Sequence, residues 1–396
     1  MNSIPSVSTS RAKPVTDPVR VMVVDDSVVV RGLVGRWVDS DPDLAVVSTH
    51  RNGQLAVDDI SRSDPDVVIL DIEMPVMDGL TALPLMLKKK PDLVVIMAST
   101  LTRRNANISL QALSSGAADY VPKPESNSGV TTSSEFRSEL IEKIRHLGER
   151  ARHRKKRGLA PISRAARPIP ARTAAGSDKA RARPALKTKA STSFELKPYS
   201  LVTPRVLAIG SSTGGPQALA ALFADIGQAY EHIPVFVVQH MPPSFTSILA
   251  EHITRISGRP AAEGNDGEVV GPGRVYVAPG GKHMTIGKDG TSIVIRLDDG
   301  PPVNFCKPAV DPLFEAVAQH YGSATLALVL TGMGHDGAGG ANRIAQVGGS
   351  VIAQDEESSV VWGMPGAAAQ TGMCSDVLPL SEIGSKVKRV LKGGRL

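Results

Sequence analysis

The sequence predicts two doubly wound α/β domains, each built on a parallel sheet, joined by an unstructured basic segment. Three observations lead there. Strand-length apolar runs alternate with amphipathic helical stretches over residues 19–149, and again over 201–390. Between them, residues 150–200 lose all periodicity and turn rich in Ala, Arg, Pro, Lys and Ser. The length of 396 residues exceeds what one domain ordinarily holds.

Residues 1–18 are polar, lack an apolar segment of signal-peptide type, and read as a disordered tail. The first domain, 19–149, has expected strands at Val19–Val24, Ala45–Thr49, Val67–Leu70, Val94–Ala98 and Asp119–Val121. Its expected helices include Ser27–Val38 and Ile108–Ser115, with Phe136–Glu149 closing it. The linker, 150–200, carries 15 Lys and Arg against Asp178 and Glu195, a local charge of +13. The whole chain is only +6, so the remainder is about −7. The basicity belongs to the tether, and the tether lacks interleaved aromatics for stacking on bases.

The second domain, 201–396, returns to alternation. Expected strands are Val206–Ile209, Val235–Val238, Val275–Ala278, Ser292–Leu297, Leu326–Leu330, Val351–Ala353 and Val377–Leu380. Expected helices are Gln217–Asp225, Phe245–Ile256, Pro312–Tyr321, Gly337–Gln346 and Ile383–Leu391. Tyr276 and Ile293 sit in short runs between Gly-rich turns, which suggests a small antiparallel insertion. Two cysteines give no disulfide framework and suit a reducing cytoplasm. No apolar run approaches 18 residues, so no membrane insertion is expected.

In the first domain the strand ends carry Asp25-Asp26-Ser27, Asp71, Ser99-Thr100 and Lys123-Pro124. A parallel sheet gathers these ends on one edge. Three carboxylates there need a cation, and hard oxygen ligands with open positions suit Mg²⁺. Lys123 neutralises phosphoryl charge and Ser99 hydrogen-bonds it, so phosphoryl transfer to Asp71 is the chemistry that fits. The strings D-D-S, L-D-I-E-M-P-x-M-D-G and K-P occur in order, and the region resembles the receiver domains of two-component response regulators. That resemblance implies a flavodoxin-like fold, Asp71 as phospho-acceptor, and Asp25 and Asp26 as metal ligands with Asp71 and the backbone carbonyl of Glu73. It further implies Ser99 and Tyr120 as the switch pair and Lys123 as the phosphate contact.

The second domain opens on Ala208-Ile209-Gly210-Ser211-Ser212-Thr213-Gly214-Gly215 directly after a strand. The spacing Gly210-x-Ser212-x-Gly214 holds a serine on a sharp strand-to-helix turn, with its hydroxyl exposed and the next amides aimed at what it attacks. His240 ends the neighbouring expected strand and is the candidate base. Asp336, in the Gly-rich loop after Leu326–Leu330, is the candidate to orient the imidazole. His335 competes as base but adjoins Asp336 and ranks below His240. The amide of Thr213 is the candidate oxyanion donor, following the nucleophile at a helix N-terminus.

I-G-S-S-T-G-G, Q-H-M-P, A-P-G-G-x-H-M, L-T-G-M-G-x-D-G and W-G-M-P together make residues 202–390 resemble the catalytic domain of chemotaxis protein-glutamate methylesterases. The resemblance implies a Rossmann-like hydrolase with Ser212 as nucleophile, His240 as base, Asp336 as orienting acid, and Met333 as second oxyanion amide. It implies a phosphorylation-activated, cytoplasmic enzyme that demethylates glutamate methyl esters and deamidates glutamines on chemoreceptors for sensory adaptation. Its partners would be methylated chemoreceptors and a histidine kinase, with no nucleic acid. Mg²⁺ would serve the receiver and no cofactor the ester chemistry. One stretch departs: Cys306-Lys307-Pro308-Ala309 stands where that family usually has His-Arg-Pro-Ser. The alternatives weigh less. A nucleotide binder lacks G-x-G-x-x-G here, and a DNA-binding regulator lacks a helix-turn-helix pattern. A docking regulator with another ester or amide substrate is the runner-up.

Overall fold

The computed structural model describes residues 17–124, 134–158 and 194–394. The first unit is built from β1 (Val19–Val24), α1 (Val28–Asp39), β2 (Leu44–His50), α2 (Gly53–Ser63), β3 (Val67–Asp71), α3 (Gly79–Lys89), β4 (Val94–Thr100), α4 (Arg103–Ser114), β5 (Asp119–Lys123) and α5 (Ser134–Lys156). Its five strands are ordered β2-β1-β3-β4-β5 and every pairing is parallel. Strands such as β3 are buried at every position, which is why they read as unbroken apolar runs rather than alternating ones. Helices start where polar caps allow: Ser27, Asn52, Asp78 and Thr102 each accept a first-turn amide of their own helix.

The second unit runs β6 (Val206–Ser211), α6 (Gly215–Ile226), β7 (Val235–Gln239), α7 (Phe245–Ser257), β8 (Ala261–Glu263), β9 (Val275–Val277), β10 (His283–Asp289), β11 (Ser292–Asp298), α8 (Val310–Tyr321), a short 3₁₀ turn, β12 (Thr325–Val329), α9 (Ala338–Gln346), β13 (Ser350–Gln354), α10 (Met364–Gln370), β14 (Asp376–Leu378) and α11 (Leu380–Leu391). Seven strands form one sheet in the order β14-β13-β12-β6-β7-β9-β8, and β10 pairs β11 in a separate antiparallel hairpin.

Four expectations need correction. The strand holding Tyr276 is β9, which pairs in parallel with β7 and β8, so only the Ile293 strand belongs to the antiparallel insertion. Its buried positions, including Tyr276, make it part of the main core. The basic segment does not begin as a free tether at 150, because α5 continues to Lys156. Its last turns find acids: Arg152 meets Asp17 and Asp66 at 2.8 and 2.9 Å, and Lys155 meets Asp92 at 3.0 Å. The 194–200 stretch is likewise packed: the Lys197 amide donates to Cys374 O at 2.8 Å and the Tyr199 hydroxyl to Asp376 at 2.7 Å. Helices α2, α3 and α10 and strands β8 and β10 had no counterpart in the expected elements. The rest of the expected tail and linker, residues 1–16 and 159–193, lies outside the described residues.

The two units share apolar surface. Leu110 and Leu113 of α4 belong to the same buried cluster as Leu219, Leu222 and Phe223 of α6 and Ile248, Leu249 and Ile253 of α7. The Tyr120 ring stacks on Phe245 with centroids 4.8 Å apart and planes 8° from parallel. Gln217 of α6 donates to the carbonyls of Ala117 and Ala118 at 3.0 and 3.5 Å, just before β5. Arg103 meets Glu251 at 2.6 Å on the exposed rim, where a charge pair contributes little. At the other end, Arg150 and Arg154 of α5 donate to the carbonyls of Glu356 and Glu357. Leu328 sits in β12, an interior strand of the large sheet, with no exposed surface. Leu328→Ala is expected to destabilise the chain by about 3 kcal/mol, read as a lower urea midpoint at unchanged slope.

Candidate functional site

Register places the catalytic candidates. Ser211 pairs with Gln239 across β6 and β7, so the residues that follow, Ser212 and His240, emerge side by side at the carboxyl edge. Val329 pairs with Gly210 on the other side of β6, so the loop after β12 reaches the same edge. The turn at Ser212 is built by neighbours. Gly214 has φ +74°, and a Cβ there would lie 2.4 Å from Val360. A Cβ on Gly332 would lie 2.3 Å from the Met364 sulfur and 2.9 Å from the Ser212 Cβ, so the loop presses directly on the serine.

Two buried polar residues clamp this turn, and neither was anticipated from sequence. Gln239 accepts from the Ser211 hydroxyl at 2.7 Å and donates to the Ser212 and His240 carbonyls at 2.9 and 3.2 Å. Thr331 takes the Ser212 amide on its carbonyl at 3.0 Å and donates its hydroxyl to the Thr213 carbonyl at 2.9 Å. Its hydroxyl also accepts from the Val360 and Val361 amides at 3.0 and 2.9 Å. Gln239 ends β7 and Thr331 lies just past β12, so strand-end position was the signal available. The amides of Thr213 and Met333 donate to no acceptor among the described residues.

His240 Nε2 lies 2.7 Å from Asp336 Oδ2. Asp336 is 2% exposed and accepts four further hydrogen bonds, from the amides of Val310, Asp311 and Gly337 and from Asn304 Nδ2. Burial opposes its charge, but His240 and these donors outweigh it and hold its pKa below the ordinary carboxylate value. The other imidazole nitrogen, Nδ1, lies 3.3 Å from Cys306 Sγ. Burial works against the imidazolium, yet Asp336 and Cys306 push its pKa up to about 9. The Ser212 hydroxyl makes no hydrogen bond among the described residues. His335 is exposed beside buried Asp336 and does not share its hydrogen bonds.

The first unit's edge gathers its own candidates. Asp25, Asp26 and Asp71 each bring a carboxylate oxygen within 4.8 Å of the others. Lys123 Nζ lies 2.7 Å from both Asp25 and Asp71. One ammonium against three carboxylates leaves negative charge, and the open, oxygen-only donor set fits Mg²⁺. Burial, reinforced by Asp25 and only partly offset by Lys123, pushes the Asp71 pKa up to about 6. Ser99 is buried on Ser109, with Oγ atoms 3.0 Å apart. Tyr120 does not sit free beside it; its ring is held under Phe245 of the second unit.

Comparison with known proteins follows the same division. Residues 207–387 match the family model of the CheB methylesterase, and residues 21–133 that of the response regulator receiver domain. The chain is 54% identical to the "protein-glutamate methylesterase/protein-glutamine glutaminase of group 2 operon" of Bradyrhizobium diazoefficiens, over 98% of each chain. It is 50% identical to "protein-glutamate methylesterase/protein-glutamine glutaminase 1" of Rhodospirillum rubrum, over 97% of this chain and 98% of that protein. Among solved structures, the Thermotoga maritima CheB methylesterase catalytic domain is 40% identical, covers 48% of this chain and 100% of its own, and gives a TM-score of 0.46.

Because its folded pKa stands above the ordinary 3.8, Asp71 favours the metal-free fold below that value and loses this contribution as pH rises through about 6. The same ionisation makes the Mg²⁺ ligand. Mg²⁺ affinity measured by calorimetry is expected to fall about tenfold from pH 7.5 to pH 5. Asp71→Asn should remove most of that dependence.

Proposed function

This chain belongs to the protein-glutamate methylesterase/protein-glutamine glutaminase family, and we propose that Ser212, His240 and Asp336 carry out its ester and amide hydrolysis. The enzyme is a receiver-regulated hydrolase that demethylates glutamate methyl esters and deamidates glutamines of chemoreceptors. The single observation behind the residue assignment is the 2.7 Å contact from His240 Nε2 to buried Asp336, beside the serine turn. Asp336 occupies Nε2, so the serine proton would go to Nδ1, the nitrogen that Cys306 Sγ also faces at 3.3 Å.

In this reading the Ser212 hydroxyl oxygen attacks the γ-carbonyl carbon of a methylated glutamate. His240 takes the serine proton and returns it to the departing methanol. Water, activated by the same imidazole, then cleaves the glutamyl-serine ester. A glutamine amide passes through the same tetrahedral species and releases ammonia. The amides of Thr213 and Met333, otherwise unpaired, face the developing oxyanion. The side chains supply this chemistry without a cofactor.

Asp71 is the phospho-acceptor, with a histidine kinase of the sensory pathway as donor. Mg²⁺, held by Asp25, Asp26, Asp71 and the Glu73 carbonyl, would neutralise the phosphoryl oxygens during transfer. Lys123 contacts the phosphoryl group, and Ser99 and Tyr120 relay its presence. What supports a relay is position. Tyr120 is stacked on Phe245, and Gln217 ties the loop before β5 to the helix that follows the Ser212 turn. The described residues contain no helix long and apolar enough to cross a membrane. Both cysteines are free, which suits the reducing cytoplasm.

Ser212→Ala is expected to lower methanol release from methylated receptor membranes by about 10⁴-fold. Undiminished release would remove Ser212 from the mechanism. Tyr120→Ala should raise the rate without phosphodonor about fivefold, the equivalent of about 1 kcal/mol of lost interface. Asp71→Asn should abolish stimulation by a small phosphodonor while Tyr120→Ala retains its raised basal rate.

A further inference from the structure

The loop 303–306 is built to bring one sulfur to the catalytic imidazole. Val303 and Cys306 form an isolated antiparallel bridge, with Asn304 and Phe305 between them at φ +51° and +64°. Two consecutive left-handed residues without glycine are costly and persist only where surroundings enforce them. Here the enforcing contacts are visible. Asn304 Nδ2 lies 2.9 Å from both Asp311 Oδ2 and Asp336 Oδ1, so the loop is pinned to the acid that orients His240. Phe305 points away, 99% exposed. The result sets Cys306 Sγ 3.3 Å from His240 Nδ1, while Asp336 holds Nε2.

Thiol, imidazole and carboxylate thus stand in one hydrogen-bonded series, the arrangement that activates cysteine nucleophiles. The second cysteine is the opposite case. Cys374 is 1% exposed, meets no charged partner among the described residues, and burial pushes its thiol up to about 12. Cys306 is only partly buried and so reachable from solvent.

We propose that Cys306 is a modification site for soft electrophiles and hydroperoxides, and that its modification closes the esterase by occupying the nitrogen Ser212 must use. The inference rests on His240 being the base. With peroxide, the Cys306 sulfur attacks one oxygen while its proton passes to His240 Nδ1: an S–O bond forms and the O–O bond breaks. Sulfur is oxidised to sulfenic acid and peroxide is reduced. The departing hydroxide takes the proton of the His240 imidazolium and leaves as water. Cys374 is too deeply buried to resolve the product, so recovery falls to an external thiol, which condenses with the sulfenic acid and is then exchanged off.

The test uses the full-length chain in two arms, iodoacetamide and hydrogen peroxide, with peptide mass mapping and methanol-release assays on the same aliquots. Cys306 is expected to take label about tenfold faster than Cys374, and about tenfold faster in the unaltered chain than in His240→Ala at pH 7. Hydrolysis should fall in proportion to the fraction of Cys306 labelled. The peroxide arm should recover with dithiothreitol and the alkylated arm should not. In Cys306→Ser, whatever hydrolysis is measured should be insensitive to both reagents. Full hydrolysis with Cys306 completely labelled overturns the proposal, as does labelling at the same rate with and without His240. Neither result depends on Ser212, whose own substitution tests the underlying mechanism separately.

Discussion

The candidate catalytic site depends on the register of three parallel strands. A parallel sheet delivers every strand end to one edge, but only a particular alignment sets given residues opposite each other. Ser211 opposite Gln239 and Gly210 opposite Val329 bring Ser212, His240 and the loop to Asp336 within reach of one another. A one-residue slip would turn each side chain to the other face. Register is held where it matters most, by Gln239 bonded to Ser211, Ser212 and His240 and by Thr331 bonded to Ser212 and Thr213. These groups are buried, so each lost hydrogen bond would strand a polar atom without water to replace it.

The receiver contacts the same construction at two places. Its α4 and β5 lie on α6 and α7, and α6 is the helix that follows the serine turn. At the opposite end, α5 reaches the 356–361 segment through Arg150 and Arg154, and Val360 in that segment packs over Gly214. The two contacts straddle the serine turn. A change at the phosphorylation pocket therefore has short, packed routes to the turn and needs no long-range deformation of either sheet.

Most of this was legible in sequence for a physical reason. Parallel strands buried on both faces leave unmistakable apolar runs, and chemistry at their ends must converge. Ser212, His240, Asp25, Asp71 and Lys123 could be proposed because each directly follows or ends such a run, and Asp336 because it lies in the Gly-rich loop after β12. The residues that went unread act through tertiary contacts. Asn304 and Cys306 lie on a loop with no periodic signal, and their meaning comes only from meeting Asp336 and His240. The departure from the family's usual histidine at Cys306 was visible, but not the imidazole it faces. Tyr276 was misassigned because short strands between Gly-rich turns look alike whether they pair in parallel or in a hairpin. The end of α5 was cut short because a run of arginines resembles solvated linker until Asp17, Asp66 and Asp92 are seen beside it.

The apolar cluster that crosses from α4 into α6 and α7 also limits how far the halves are interchangeable. Tyr120 and Phe245 stack on one another, and the leucines and isoleucines of the helices around them share one buried cluster. A receiver borrowed from another regulator would keep its phosphorylation chemistry yet meet this surface with the wrong side chains. Such a chimera would leave leucines and aromatics uncovered, so aggregation and unrestrained turnover would arrive together. The pairing has to be inherited, or engineered, as a unit.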